Sequence, residues 1–352
     1  MFYSNEIVFR GHPDKVCDQI SDAILDAYMG KDPNSRCGIE VMGGKGKIFI
    51  TGEVSSSEEV DIEEIVRGVL KEVGYSTDYE IINNLGIQSP DIAQGVDIGG
   101  AGDQGMMFGY ACRDTEEHMP TAVAILQSLS SHYDKLRQRD KRFLPDGKAQ
   151  ITGCYDNNNK LKYIKDFVIS YQNTEEEREI TDEIIKSVCE CICSFYGIKV
   201  KKYHINPTGR FSVGGFDGDA GLTGRKIVMD SYQSFANVGG GCFSGKDPTK
   251  VDRSAAYKAR QIAINWLFTH EEADWCEVQL SYAIGCAKPL AVYIRTNNGK
   301  FDCTSEYEDE CTPDRIIRDL HLRKTTRRFR YYDTAKFGHF GFAEFPWEWI
   351  VH

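Results

Sequence analysis

Helix-period patterns in this chain arrive in pairs, separated by short β-branched or aromatic runs, and that alternation limits the fold more than any other feature. The first pair covers 13–28 and 58–73. Residues 13–28 open with a proline in the first turn, place Val16, Ile20, Ile24 and Ala27 on one face, and end before Gly30. Asp18, Asp22 and Asp26 recur every fourth residue on the other face, the pattern of a solvated stripe. Residues 58–73 carry Ile62, Ile65, Val66, Val69 and Val73 and stop at Gly74, the residue type favoured just past a helix end. Two more pairs follow, at 121–138 with 175–196, and at 254–270 with 313–322. Strand-like runs lie at 47–54, 163–171, 226–232 and 277–284. This order predicts an α+β fold of three consecutive similar units, each a mixed β-sheet with two helices, in a pseudo-threefold arrangement. The expected boundaries are 1–97, 98–213 and 214–352. The threefold order rests on the succession of elements alone, because no residue-level repeat accompanies it.

Composition excludes several functions. The chain has 352 residues, 41% of them hydrophobic, enough for two or three packed domains. A net charge of −11 argues against a bulk nucleic-acid binder, which needs a basic field. No run approaches the ~18 apolar residues of a membrane span. The opening MFYSNEIVFRGHPDK lacks a basic region followed by an apolar run, so no secretory signal is expected. Twelve cysteines are scattered, and Cys189, Cys191 and Cys193 lack C-x-x-C spacing, which suits free thiols in the cytoplasm. The acidic 305–311 and basic 323–330 runs read as solvated faces.

Chemistry concentrates in four glycine-rich stretches. Residues 11–15, GHPDK, open a predicted helix, where free N–H groups and the helix dipole favour phosphate. There His12 could donate a hydrogen bond and Asp14 could ligate a hard cation, although helix capping explains the same residues. Residues 99–105 contain G-x-G-x-x-G, but a strand is expected after them at 106–111 and a loop before, the reverse of a dinucleotide fingerprint. Residues 145–148, PDGK, read as a turn. The longest stretch, 206–253, holds Arg210, Arg225, Lys226, Lys246 and Lys250 with Asp217, Asp219 and Asp252. Such local cation density in an acidic chain is what a polyphosphate site requires. Gly240 to Lys246 fits G-x-x-x-x-G-K, yet Asp247 stands where a P-loop needs Ser or Thr, and no strand ends just before Gly240.

Taken together, these segments resemble the S-adenosylmethionine synthetase (methionine adenosyltransferase) family. The similar motifs are GHPDK at 11–15, QSPDIAQGVD at 88–97, GAGDQG at 100–105, NPTGRF running on through GLTGRK at 206–226, GGGCFSGKDPTKVDRSAAY at 239–257, SYAIG at 281–285 and GHFGFAEFPWE at 338–348. They keep a fixed order along nearly the whole chain. The resemblance implies attack of the methionine sulfur on C5′ of ATP, release of tripolyphosphate, and its hydrolysis to pyrophosphate and phosphate.

Further expectations come from the same resemblance. Asp14 and Asp252 would face two Mg2+ ions, and Glu40 would be linked to K+. His12, Lys148, Arg225, Lys226 and Lys246 would act on phosphate and the departing oxygen. Asp146, Arg210 and Cys242 would complete the ATP contacts, with Phe211 stacking on adenine. Glu53, Gln94 and Lys250 would contact methionine, Asp103 would lie at the ribose or the methionine amine, and Asp219 would recognise both substrates. A homodimer with shared active sites is implied, with a tetramer built as a dimer of dimers as the larger alternative. Departures from the family pattern are a shortened segment between Gln94 and Gly100, Phe216 in place of a common proline, Val238 in place of a common histidine, and Cys242 in place of a common alanine. A non-catalytic homologue would be expected to lose His12, Asp14, Lys148 or Asp252, and all four are present.

Overall fold

The computed structural model describes residues 1–87, 100–324 and 329–350. In chain order the elements begin with β1 (Phe2–Val8), α1 (Pro13–Lys31), β2 (Arg36–Gly44), β3 (Lys47–Ser55), α2 (Ile62–Val73) and β4 (Glu80–Gly86). There follow β5 (Gly105–Cys112), α3 (Thr121–Arg139), β6 (Phe143–Tyr155), β7 (Leu161–Asn173), α4 (Arg178–Phe195) and β8 (Val200–Ile205). The last third holds the short β9 (Gly221–Leu222), then α5 (Val251–Thr269), β10 (Trp275–Tyr282), β11 (Ala291–Thr296), β12 (Gly299–Asp302), α6 (Pro313–Asp319) and α7 (Tyr331–Phe337).

Among the described residues the strands form three four-stranded sheets, ordered β4-β3-β2-β9, β1-β6-β7-β8 and β12-β11-β10-β5. The α+β organisation in three similar units is as the sequence predicts, and it carries an exchange of strands that the sequence does not announce. β1 pairs antiparallel with β6 of the middle sheet, β5 pairs with β10 of the last, and Leu222 of β9 pairs with Met42 of the first. Each sheet is therefore stitched to another third of the chain, and the glycine-rich 214–226 stretch is drawn onto the first sheet.

Local sequence explains the helix ends. Asp61 accepts the N–H of Glu64 at 3.0 Å and starts α2, and Gly74 at φ 89° ends it in the left-handed region. α1 starts behind an N-cap at His12 and runs through Gly30 to Lys31. The strand expected at 226–232 is instead a one-turn helix, Ile227–Asp230. The carboxylate of Asp230 is held 2.6 Å from the buried ammonium of Lys15 on α1, which turns the segment down onto that helix and away from any strand partner. The turn expected at 145–148 is likewise part of β6, in an irregular stretch of its pairing with β7. Gly147 fits there because its missing side chain leaves room for the ring of Phe9, 2.6 Å from where a Cβ would lie.

Among the described residues two apolar clusters make the core. One joins the first and last units through α1, α2, α5 and their sheets; the other lies between β6, β7, α3 and α4 and takes in Ile7 and Phe9 from the start of the chain. The aspartate stripe of α1 corrects the sequence expectation most sharply. Asp18 and Asp22 are buried at 1% and 0% exposure, because that face of the helix is covered by the glycine-rich loops of the last third.

Candidate active site

The start of α1 faces the loop that follows β9. Asp14 is almost fully buried and accepts the N–H of Leu222 at 2.9 Å through Oδ1. Its other oxygen lies 2.5 Å from Nζ of Lys226, and Nε of Arg225 stands 3.5 Å from Oδ1. This close approach needs glycine at 221, where a Cβ would lie 2.2 Å from the carbonyl oxygen of Pro13. His12 Nδ1 accepts the N–H of Asp14 at 3.2 Å. Burial, then the charges of Lys226 and Lys148, push the His12 pKa down to about 4 against the opposing pull of Asp14 and Asp219. The imidazole is therefore neutral near pH ~7, well above its own pKa, with Nδ1 as acceptor and Nε2 left to carry the proton.

The middle unit supplies the neighbouring wall. Oδ2 of Asp146 accepts the N–H of Gly215 at 2.8 Å, and burial raises its pKa to about 6. Lys148 lies two residues further along β6, near enough for its charge to act on both Asp146 and His12. Gln172 ties this wall to the 206–214 loop, accepting from Asp146 N at 3.2 Å and donating to the carbonyl of Ser212 at 3.0 Å. Phe211 is fixed by its carbonyl, which accepts from Asn173 N at 2.9 Å, while Arg210 is 78% exposed with Nε donating to Ser212 Oγ. These two residues form the open rim.

A second cation–carboxylate pair mirrors the first. Nζ of Lys246 lies 2.5 Å from Oδ2 of Asp252, in the first turn of α5. Gly241 packs so tightly on that carboxylate that a Cβ would lie 2.1 Å from Cγ of Asp252. Burial disfavours the Lys246 charge, but Cys242, Asp252 and Asp103 outweigh it and hold the pKa above the usual lysine value. Lys246 bridges in antiparallel fashion to Gly38 of β2, which sits opposite Glu53 of β3. Lys250 donates to Asp247 at 2.6 Å, and the fully buried Asp247 also accepts the N–H of Cys37 at 2.7 Å. Asp247 thus clamps this loop onto β2, and a strand-to-helix phosphate loop is absent here because α5 begins only at Val251.

The loops that carry the two pairs touch. Gly224, at φ 79°, faces Cys242 so closely that a Cβ would lie 2.5 Å from that of Cys242. The Cys242 thiol is in turn held up in pKa by burial, with Lys246 opposing and Asp18, Glu40 and Asp252 adding to the rise. Asp103 follows Gly100 and Ala101, and Ala101 exchanges backbone hydrogen bonds with Gly285 and Cys286, which joins the GAGDQG and SYAIG segments. The structure therefore brings the expected residues into two linked groups. His12, Asp14, Asp146, Lys148, Asp219, Arg225 and Lys226 form one. Cys242, Lys246, Lys250, Asp252, Glu53, Asp103 and Glu40 form the other. Gln94 lies outside the described residues.

Sequence reading missed the residues beneath this floor. Lys15 lies 3.1 Å from Asp18 and 2.6 Å from Asp230, and Arg253 takes Asp22 through both terminal nitrogens at 2.6 and 2.8 Å. The available signal was register: these aspartates continue the fourfold spacing of Asp14.

Comparison with known proteins gives matches across the chain. The N-terminal, central and C-terminal domains of S-adenosylmethionine synthetase match residues 1–90, 98–211 and 213–349. An S-adenosylmethionine synthase of Fusobacterium nucleatum is 44% identical, covering 99% of this chain and 95% of its own length. Those of Clostridium tetani and Prochlorococcus marinus are each 42% identical over 98% of this chain, and over 96% and 95% of their own lengths.

Proposed function

The chain belongs to the S-adenosylmethionine synthetase family and acts in S-adenosylmethionine synthesis, and we propose that it does so by in-line attack of the methionine sulfur on C5′ of ATP, with tripolyphosphate leaving and then being cut to pyrophosphate and phosphate. The observation that carries this reading is the pair of lysine–carboxylate contacts, Lys226 with Asp14 and Lys246 with Asp252, on glycine loops that meet at Gly224 and Cys242.

The chemistry needs such a site. A thioether is a neutral nucleophile and requires no general base. The obstacle is the leaving group, a phosphate chain of about four negative charges, so catalysis is positioning and electrostatic stabilisation. Arg225, Lys226, Lys246 and Lys148 hold that charge. Neutral His12 donates from Nε2 toward the departing oxygen. Phe211 and Arg210 at the rim receive the adenine end, with Asp146 and Asp219 on the same wall. Glu53, Asp103, Lys250 and Gln94 take methionine.

The carboxylates fit magnesium, an ion commonly held by one or two carboxylates together with substrate phosphate oxygens and water. Asp14 and Asp252 are those carboxylates, each facing a lysine ammonium at 2.5 Å, with Asp14 also taking the N–H of Leu222 and lying beside Arg225. Two Mg2+ ions, when bound, supply added positive charge beside the triphosphate. Glu40, exposed on β2 and acting on the Cys242 thiol, is the group for K+.

A homodimer with shared sites is supported by the outer faces of the first and last sheets. Met42, paired with Leu222 beside Asp14, is 54% exposed there, and Met106, which lines the same small cavity as Asp252, is 55% exposed. All twelve cysteines are free thiols, which suits a reducing cytoplasm.

The test is turnover of Asp14→Asn and Lys246→Ala with ATP, methionine, magnesium and potassium. Each should fall on the order of 100-fold, the scale lost with one stabilising group, while the fold persists. Near-normal rates in both would overturn the assignment, and an unchanged rate without potassium would remove Glu40 from its role.

A further inference from the structure

Gln172, one residue from the end of β7, is buried at 9% exposure behind the rim formed by Arg210 and Phe211, and the reaction proposed above gives it no part. Its side chain is nevertheless used at both ends. Oε1 accepts the N–H of Asp146 at 3.2 Å, and Nε2 donates to the carbonyl of Ser212 at 3.0 Å. The orientation of the amide follows from these partners, since the reverse would set its NH2 against an N–H and its oxygen against a carbonyl. The backbone of Gln172 is held from below, where its carbonyl accepts from Tyr133 Oη at 3.1 Å.

The two partners lie on different segments. The pairing of β6 with β7 is irregular between Phe143 and Gly147, so Asp146 falls outside the regular ladder, which resumes with Gly147 opposite Tyr171 and Lys148 opposite Ser170. The Gln172 oxygen takes the place of a strand partner for Asp146. On the other side, the 206–215 segment is laid along residues 171–173. Oδ1 of Asn206 accepts from Tyr171 N at 2.9 Å, its Nδ2 donates to the Tyr171 carbonyl at 3.1 Å, and the Phe211 carbonyl accepts from Asn173 N at 2.9 Å. Those ties use the backbone of β7 and survive any side chain there. The tie at Gln172 does not: it needs an acceptor and a donor on one short group, which a carboxylate or an apolar side chain of that size lacks. The segment then closes over the amide. A Cβ on Gly214 would lie 2.8 Å from Cδ of Gln172 and 3.0 Å from Cβ of Asp146, and Gly215 N donates back to Asp146 Oδ2 at 2.8 Å.

We infer that Gln172 is a positioning residue for ATP, which joins the strand bearing Asp146 to the loop bearing Arg210 and Phe211 and so sets how tightly the adenine end is held. It governs binding of the nucleotide and not the transfer step. The inference rests on the reading of Arg210 and Phe211 as the residues that receive adenine.

Gln172→Met keeps the shape and removes both hydrogen bonds. In the folded variant, KM for ATP should rise roughly 10-fold, the scale of two lost hydrogen bonds. The kcat, the KM for methionine and, by calorimetry, the affinity for inorganic tripolyphosphate with magnesium, which carries no adenine, should stay near those of the unaltered protein. Gly214→Ala reaches the same contact from the other side. Gly214 is partly exposed and its φ of −140° is open to alanine, so the fold persists while the new methyl group displaces the Gln172 amide. It should raise KM for ATP in the same selective way, and it decides alone if Gln172→Met does not fold. In a Phe211→Ala background, Gln172→Met should add less than about twofold, because groups that act through one another do not add. An unchanged KM for ATP in folded Gln172→Met and in Gly214→Ala would overturn the inference. So would an equal weakening of methionine and tripolyphosphate, the mark of a general loosening. A KM for ATP that Phe211→Ala itself leaves unchanged would instead sink the reading on which the inference stands.

Discussion

Asp14, Lys226, Lys246 and Asp252 sit in contacts that glycine alone permits, at 221 beside Asp14 and at 241 beside Asp252. The identities of these residues were legible in the sequence because cations and glycines crowd together in an otherwise acidic chain. Their pairing was not, since the partners of Asp14 are more than two hundred positions away. The same limit hid Asp18 and Asp22: periodicity says that they share a helix face, and only the fold says that the face is covered. His12 carries a testable consequence at this scale. Its folded pKa of about 4 lies below the free imidazole value, so its contribution to stability is present above the unfolded pKa and is lost as pH falls toward the folded one. His12→Asn removes that dependence. Between about pH 7 and about pH 5, urea unfolding of this variant should lose less stability than the unaltered protein loses; equal losses would contradict the shifted pKa.

Among the elements, the six long helix patterns were legible because amphipathic spacing survives whatever tertiary partner is found. Short segments were not. The β-branched run at 226–232 became a one-turn helix because Asp230 is drawn to Lys15, and PDGK at 145–148 became strand because Gly147 admits Phe9. The departure at Phe216 also finds its reason in packing. Its buried ring stands edge-on to Tyr75 and Tyr79, at 5.3 and 5.6 Å between centroids, over Gly43, where a Cβ would lie 2.4 Å from the ring. The Phe216 carbonyl also accepts from Lys45 N at 2.8 Å, so the ring plugs the start of the 214–226 segment into the β2–β3 hairpin. Phe216→Ala should cost about 3–5 kcal/mol of stability, the usual range for a buried ring, as read from denaturant unfolding. A loss below about 1 kcal/mol would mean that the ring does not anchor the segment.

For the whole molecule, three units of similar make were legible from the order of elements, whereas the exchange of β1, β5 and β9 between sheets was not, because strand pairing across distant sequence leaves no local trace. That exchange shapes the proposed site: β9 carries Leu222 and the loop after it onto Asp14 and the first sheet. The proposed dimer belongs to this scale as well. Sedimentation at micromolar concentration should give twice the chain mass of 39.8 kDa or a higher multiple, and a stable, fully active monomer would contradict shared sites. The central claim is that the two lysine–carboxylate pairs hold the triphosphate as a leaving group and not as a donor of one phosphoryl group. Its most direct measurement is a product balance with ATP, magnesium and potassium, with and without methionine. Consumption of ATP should depend on methionine and yield S-adenosylmethionine, pyrophosphate and phosphate in equal amounts; formation of ADP without methionine would contradict the account.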